Sequence, residues 1–550
     1  MTSELPDDIE LLRQLLTQKN SIIADKDAAI TGKDTFIAEL EKRNAILMEQ
    51  VRLLENYRFA RSSEKWTGED ERQSRLFDEA EVGVCEAGPD KSFQTECITY
   101  TRKKGKKGRR PISPDFPRTV IPHEFSEEQR ACQKETCPQH GDCGKLRPVI
   151  GKDIREEIEF IPAQIKVNRH EYYKYGEIDC VEFDEDESQP GVIFVGREKR
   201  IIPRSIVTPS LLSYIVVSKF ADALPFYRQE KIFARFGILI TRQSMCNWVI
   251  KASGACGDYL DLLREYIRAG PLINMDETVL QVLTEPNGPA STKSYMWVMV
   301  GTQEDGHRIV LYNYSPHRRG EIAESLLEGY RGSLQTDGYS GYNSVGAWAG
   351  IWHVGCMLHS RRKFYEAYIG ANKKGQAKVG LQFIKDLYRV ERELRVADLP
   401  VQRFVIDRRK AAAPIFRKFK KWLNAMSKTV PDESLLGKAV SYTLTEYKRL
   451  VRYLKYAYLT PDNNVAENAV RPYAIGRKNW LFSNTPLGAY ASAAMYSLVE
   501  TTTANNLNPY HFLWRLFTEL PEADTKEKLE KLLPWNLEGI PPYKTPTCKN

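Results

Sequence analysis

Three acids stand out by type and by place. Asp276 closes the apolar run P-L-I-N-M-D, and Asp337 closes a second run, G-S-L-Q-T-D. Glu467 lies in D-N-N-V-A-E-N-A-V-R-P-Y-A-I-G-R-K-N-W-L-F. Breaking a phosphodiester bond needs charge neutralised on both the attacking and the leaving oxygen. Two Mg²⁺ ions about 3.5–4 Å apart do this, and hard oxygen ligands hold them. A lone Asp at a strand end is an ordinary turn former or helix cap. Two at matching topological positions, with a third acid on a later helix, make a clamp for such ions.

The surrounding elements must bring these acids together. S-Y-M-W-V-M-V-G and H-R-I-V-L-Y-N-Y are rich in β-branched and aromatic residues and read as strands. R-G-E-I-A-E-S-L-L-E-G reads as a helix, and G-S-L-Q-T as a fourth strand. Three strands, a helix and a fourth strand, with acids on the first and after the fourth, is the order of a ribonuclease-H-like core. G-I-W-H-V-G-C supplies a fifth strand, followed by a basic helix from Met357. Thr460-Pro461-Asp462 signals the helix start before Glu467. Arg471 follows Glu467 by four residues and Lys478 follows Arg471 by seven, spacings an ideal helix aligns on one face, where they could hold a DNA phosphate. Pro472 is expected to bend that helix. Among the rival third acids, Glu391 and Glu393 lie among Arg and Lys and read as ion pairs on a solvated face. Glu446 sits in a similar basic helix, Asp462 suits a turn or cap, and Glu500 has no base near it.

Asp276-Glu277-Thr278, T-D-G-Y-S-G-Y at 336–342, H-V-G-C-M-L-H-S-R-R-K-F at 353–364 and N-N-V-A-E-N-A-V-R-P-Y-A-I-G-R-K-N-W-L-F at 463–482 resemble the DDE transposases of insertion sequence sixty-six. The resemblance covers nearly the whole chain. It implies a metal-dependent enzyme that binds the ends of a mobile element in double-stranded DNA, cuts there and joins the freed ends to target DNA. Mg²⁺ is the implied cofactor, with Mn²⁺ able to substitute, and element-encoded accessory proteins are conceivable partners. Cys356 and His359 form a C-x-x-H pair similar to that of other DDE enzymes with helical insertions, which places His359 near the scissile phosphate as a donor or orienter. Two other readings compete: a nuclease of the same fold that hydrolyses without joining, and a non-catalytic dimeric DNA-binding regulator derived from such an enzyme.

With 550 residues the chain has room for several domains. A hydrophobic fraction of 42% and a charged fraction of 28% are ordinary for a globular protein, and the net charge of +8 is a mild basic excess. No apolar run approaches the roughly 18 residues of a membrane span. The acidic, polar N-terminus carries no secretory pattern. Ten cysteines are too sparse for a disulfide scaffold, so a reducing cytoplasm, at the nucleoid, is the expected setting.

Residues 8–57 carry a heptad: Ile9, Leu16, Ile23, Ile30, Ile37, Asn44 and Val51 at one position, with Leu12, Lys19, Lys26, Lys33, Leu40, Leu47 and Leu54 three residues on, the lysines weakening the middle. This predicts a coiled coil over 1–60 and self-association as a dimer or higher, with Asn44 fixing register; the family's N-terminal leucine zipper agrees. A polar linker, 61–118, contains R-K-K-G-K-K-G-R-R, where Lys103, Lys104, Lys106 and Lys107 are placed to track phosphates. Over 119–185, Cys137, His140, Cys143 and Cys180 offer a tetrahedral set for Zn²⁺, in a zinc-finger-like domain whose second cysteine pair is reduced to one. The competing reading is a small β-domain with buried cysteines. Residues 200–255 read as helix, Gly-containing turn and helix, a helix-turn-helix-like region, with Gly237 the stop and Thr241 the next cap. Arg242, Gln243 and Asn247 would face base edges from its second helix. A DDE catalytic domain over 268–500 contains a helical insertion, 372–457, with Trp422 read as core in preference to a base-stacking platform. A C-terminal helix and tail, 501–550, complete a multidomain α/β chain.

Overall fold

The computed structural model describes residues 9–59, 165–171, 174–176, 192–194, 198–286 and 292–543. The chain divides into two compact units, Met1–Ser62 with His170–Asn550, and Ser63–Arg169. Of the second unit only 165–169 fall among the described residues, and they have no regular structure.

The first unit is built on a mixed five-stranded sheet. Its strands are β1 (Leu272–Gln281), β2 (Lys293–Thr302), β3 (Arg308–Ser315), β4 (Gly332–Gln335) and β5 (Ile351–Val354), in the order β3-β2-β1-β4-β5. β2 pairs antiparallel with both β1 and β3, whereas β1–β4 and β4–β5 are parallel. The run Met296–Val300 of β2 is buried throughout, as a central strand covered on both faces must be. A separate two-stranded antiparallel pair joins Lys174–Gly176 to Val192–Phe194.

Helices precede, flank and interrupt the sheet. α1 (Ile9–Phe59) is a single helix that runs through Gly32. Its C-terminal half rests on α7 (Met357–Gly370), where Tyr57 Oη donates to Glu366 Oε1 at 2.9 Å. Before the sheet come α2 (Pro209–Phe220), α3 (Phe226–Arg235), α4 (Arg242–Ala255) and α5 (Gly257–Ala269); α6 (Gly320–Leu326) links β3 to β4. The expected stop after α3 is present: Gly237 takes a φ of 82°, its N–H donates to Ala234 O, and that of Ile238 donates to Phe233 O. Thr241 caps α4 by accepting from Ser244 N–H.

Between β5 and Glu467 the chain inserts α8 (Ala377–Val396), α9 (Val401–Thr429) and α10 (Leu435–Val451). With α7 they enclose a second core around Phe364, Ile384, Phe416, Phe419 and Tyr453. Trp422 belongs to it, 5.9 Å from Phe364 and 6.1 Å from Phe419 by ring centres. Glu391 is not on a solvated face. It is 6% exposed and pairs with Arg395 and with Arg408, itself fully buried and donating to Leu459 O, Tyr453 O and Tyr456 O. Its rival Glu393 does face solvent and meets Arg389 at 4.0 Å.

α11 (Asn464–Trp480) then returns to pack on β1 and β2, continuing through Pro472 as one element. α12 (Pro486–Ala504) seals the outer edge of β3. Ser497 Oγ accepts from Tyr312 N–H, Thr501 Oγ1 from Val310 N–H, and Asn505 Oδ1 from Arg308 N–H, at 2.8, 2.9 and 3.1 Å. The spacing of four along the helix matches alternate residues of the strand, so one helical face satisfies an edge that would otherwise recruit another strand. For this reason α12 runs straight through residue 500, and the expected boundary at 500/501 falls inside one helix. α13 (Pro509–Glu519) packs beside it against α2.

Candidate active site

The sheet register brings the two aspartates together. Asn274 of β1 lies opposite Gln335 of β4. Asp276 and Asp337 each follow that pair by two residues, so they emerge side by side on the same face. Glu467 stands on the first turn of α11, near enough for its charge to act on Asp276 and for that of Asp337 to act on it. The three carboxylates are half-buried, and Asp337 and Glu467 both disfavour charge on Asp276.

Burial, with Glu277 beside it and then Asp337 and Glu467, pushes the Asp276 carboxyl up to about 7. Glu467 is also raised, chiefly by burial, with Arg362 and Arg471 pulling the other way. Burial is the sole cause that lifts Glu500 to about 7, so this rival acid takes no part in the cluster. Hard oxygen donors crowded into a half-buried cleft, with mutual repulsion only partly offset by bases, fit a divalent cation such as Mg²⁺. A cation bound there must displace the Asp276 proton. The apparent Mg²⁺ affinity should therefore climb about tenfold per pH unit below 7 and level off above it. A raised carboxyl binds more protons folded than unfolded, so the ion-free chain loses stability as pH rises from the ordinary Asp value to about 7. Thermal unfolding at pH 6 and pH 8 should show the larger Mg²⁺-induced rise in Tm at pH 8. Equal shifts would refute the linkage.

Behind the acids lies a network of buried amides. Asn274 Nδ2 donates to Asn463 Oδ1 at 2.9 Å and to Gln335 Oε1 at 3.2 Å. Asn463 Nδ2 donates to Met275 O at 2.8 Å, and Gln335 Nε2 to Thr460 O at 2.8 Å. Asp462 Oδ1 accepts from Asn464 N–H at 3.2 Å, the turn-and-cap role expected of it. On one side, buried Glu277 accepts from Arg318 and Tyr342, and Arg318 stacks over Tyr339 at 4.0 Å. That arrangement clamps the loop T-D-G-Y-S-G-Y. Within it Gly338 has no room for a side chain, since a Cβ would come 2.6 Å from Tyr442 Oη.

On the other side, His359 and Arg362 rise from α7 toward Glu467. His359 Nδ1 lies 3.8 Å from Glu467 Oε1, and an Arg362 guanidinium nitrogen 3.8 Å from Oε2. Burial lowers the His359 pKa, favouring the neutral ring. Cys356, the residue before α7, is buried with Sγ 4.0 Å from Glu467 Oε1. Arg471 is half-buried one turn beyond Glu467, and Lys478 is exposed further along α11. On α4, Arg242, Gln243 and Asn247 are all exposed, while Met245, Trp248 and Val249 face the core. The zinc candidates Cys137, His140, Cys143 and Cys180, and the linker bases Lys103, Lys104, Lys106 and Lys107, lie outside the described residues.

Asn274, Gln335 and Asn463 were not singled out from the sequence, nor were Glu277, Arg318 and Tyr342. The available signal was an amide two residues before each aspartate, in strands otherwise apolar.

The profile of the Transposase IS66 family matches residues 204–491, and that of the IS66 C-terminal element 497–535. The zinc-finger binding domain of transposase IS66 matches 134–176, and the profile described as Transposase C of IS166 homeodomain matches 46–121. An uncharacterized protein of Sinorhizobium fredii, y4qI, is 28% identical over 98% of both chains. A second uncharacterized protein from that organism, y4jD, is 28% identical over 74% of this chain and 78% of its own. Among the described residues no helix is long and apolar enough to cross a membrane. With the Transposase IS66 family match spanning more than half of its length, the chain belongs to the IS66 family of transposases.

Proposed function

We propose that the chain is a DDE transposase that binds the ends of its insertion sequence, cleaves there and transfers the freed strands to target DNA. The observation that carries this reading is the convergence of Asp276, Asp337 and Glu467 from two adjacent parallel strands and a later helix. The strand order β3-β2-β1-β4-β5 supports a ribonuclease-H-like core. Mg²⁺, when bound, would supply charge neutralisation at the attacking and leaving oxygens. Asp276, Asp337 and Glu467 would hold it. Neutral His359 is placed to donate to or orient the scissile phosphate, and Arg471 to hold a phosphate oxygen. Water would attack first to free a 3′-OH at the element end, and that hydroxyl would then attack target DNA. The full chain, incubated with duplexes carrying the ends of its own element and Mg²⁺ or Mn²⁺, should yield nicked and then joined product. Hydrolysis without joining would make it a nuclease, and metal-independent binding with no product a regulator.

Arg242, Gln243 and Asn247 are the candidate base readers. Lys103, Lys104, Lys106, Lys107 and Lys478 are candidates for phosphate contacts. We read α1 as a dimerising coiled coil. Leu16, Ile23, Ile30 and Ile37 of its seam are between 51% and 61% exposed in the single chain, an apolar stripe that a second copy would cover. Sedimentation of the full chain should therefore give a dimer, and removal of residues 1–45 a monomer. A dimer that survives this deletion would sink the idea. Zn²⁺ on Cys137, His140 and Cys143 is proposed on the zinc-finger match, with Cys180, which lies beyond the match, as the fourth ligand, and metal analysis of the purified protein reads it directly.

A further inference from the structure

Cys356, His359 and Glu467 place a sulfur, a ring nitrogen and a carboxylate oxygen within 4.8 Å of one another. A zinc ion with ordinary bond lengths sets tetrahedral ligand separations of about 3.4 Å for nitrogen to oxygen and about 3.6 Å for sulfur to oxygen. The observed separations, 3.8 Å for His359 Nδ1 and 4.0 Å for Cys356 Sγ to the same Glu467 oxygen, are only a few tenths of an ångström wider. Two further features point to a ligand. His359 Nδ1 is buried without a hydrogen-bond partner. Cys356 Sγ is fixed in place by Asn463 N–H at 3.2 Å. The C-x-x-H spacing puts the sulfur just before α7 and the imidazole in its first turn, so both ligands stand on one short stretch of chain facing Glu467.

We propose that these three residues form a second metal site, selective for a thiophilic divalent cation of the zinc class, and that occupancy of this site inhibits the enzyme. Donor type separates the two sites. Asp276 and Asp337 offer only hard oxygen, which suits Mg²⁺, whereas thiolate and imidazole select Zn²⁺, Cd²⁺ or Co²⁺. Three protein ligands leave a fourth position open to water or a phosphate oxygen. Glu467 belongs to both sets. A soft ion bound here would draw that carboxylate from the hard site and take the neutral ring of His359 with it. The inhibitory half of the proposal rests on Glu467 being the third catalytic acid; the binding half does not.

Co²⁺ bound by the full chain, measured by equilibrium dialysis and by thiolate-to-cobalt absorption, tests it. The wild type should bind one equivalent more than either Cys356→Ser or His359→Ala, with the bands of the remaining cysteines unchanged. His359 is partly exposed, so its variant tests the site if Cys356→Ser fails to fold. Excess Mg²⁺ should weaken this equivalent selectively, and Glu467→Gln should remove it. Equal stoichiometry in wild type and both variants would overturn the site. An equivalent indifferent to Mg²⁺ and to Glu467→Gln would overturn the sharing. A chain that binds the extra ion but yields no joined DNA would leave the site standing and sink the transposase reading.

Discussion

Glu467→Gln is expected to abolish both cleavage and joining in Mg²⁺ while leaving binding to the element's ends nearly intact. Asp276→Asn and Asp337→Asn should behave alike. The amide keeps the shape of the acid and removes the negative charge that would hold a divalent cation. That ion supplies several kcal/mol of transition-state stabilisation, so each loss should lower the rate on the order of 10³-fold or more. On the proposed reading, end binding would draw on other parts of the chain: the exposed residues of α4 and the basic linker. The expected split is therefore a flat binding isotherm change and a lost product band. Removing negative charge from a crowded cluster should, if anything, raise stability, because burial already disfavours the ionised forms of Asp276 and Glu467. Thermal unfolding of the three variants would separate a chemical loss from a folding one. A Glu467→Gln chain that joined ends at the wild-type rate would move the third ligand elsewhere. The neighbouring candidates in space are Asp462, committed to the turn before α11, and Glu277, committed to Arg318 and Tyr342.

The strands that carry the two aspartates are legible in the sequence. Alternating and continuous apolar runs marked all five strands, and the two aspartates were fixed by where those runs end. Glu467 was chosen by elimination, and its rivals are now placed by their contacts. Glu446 is tied to Arg449, which bridges to Asn343. Glu391 is where local pattern misled. An acid among bases on one helix resembles a solvated face, and the expected ion pair with Arg395 is present at 2.8 Å, but Arg408 of the next helix also meets Glu391 at 3.4 Å and buries it, and such non-local pairing leaves no periodic trace. The same limit hid the Ser497, Thr501 and Asn505 ladder. Spaced four apart in the sequence, those side chains have no evident partner until β3 is known to be an edge strand. Nor could spacing show that Cys356 and His359, more than a hundred residues before Glu467, would meet it.

The largest consequence that was not legible concerns the amides beneath the acids. Asn274→Leu is expected to lower the cleavage rate about 10²-fold and to destabilise the fold by roughly 1–3 kcal/mol. Asn274 is 1% exposed, and Gln335 and Asn463 are fully buried, so none of the three can turn to water. The single Nδ2 of Asn274 serves both neighbours, one on β4 ahead of Asp337 and one at the start of α11 ahead of Glu467. Leucine fills a similar volume but leaves two buried acceptors without that donor, which accounts for the stability term. The rate term has a different origin. Asn274 sits two residues before Asp276, so its bonds set the register among all three acid-bearing elements, and a displacement of about 1 Å in one carboxylate is enough for the predicted loss. Asn274 acts through the acids, which makes it a positioning residue, and stability alone would not reveal that. The discriminating measurement is the Mg²⁺ dependence of cleavage. Misplaced ligands should shift the half-saturating concentration upward, whereas a merely loosened core should leave it unchanged among the molecules that remain folded. If Asn274→Leu unfolds more readily in urea but shows the wild-type Mg²⁺ midpoint and rate, the amides are structural filler and the carboxylates are held by the strands alone.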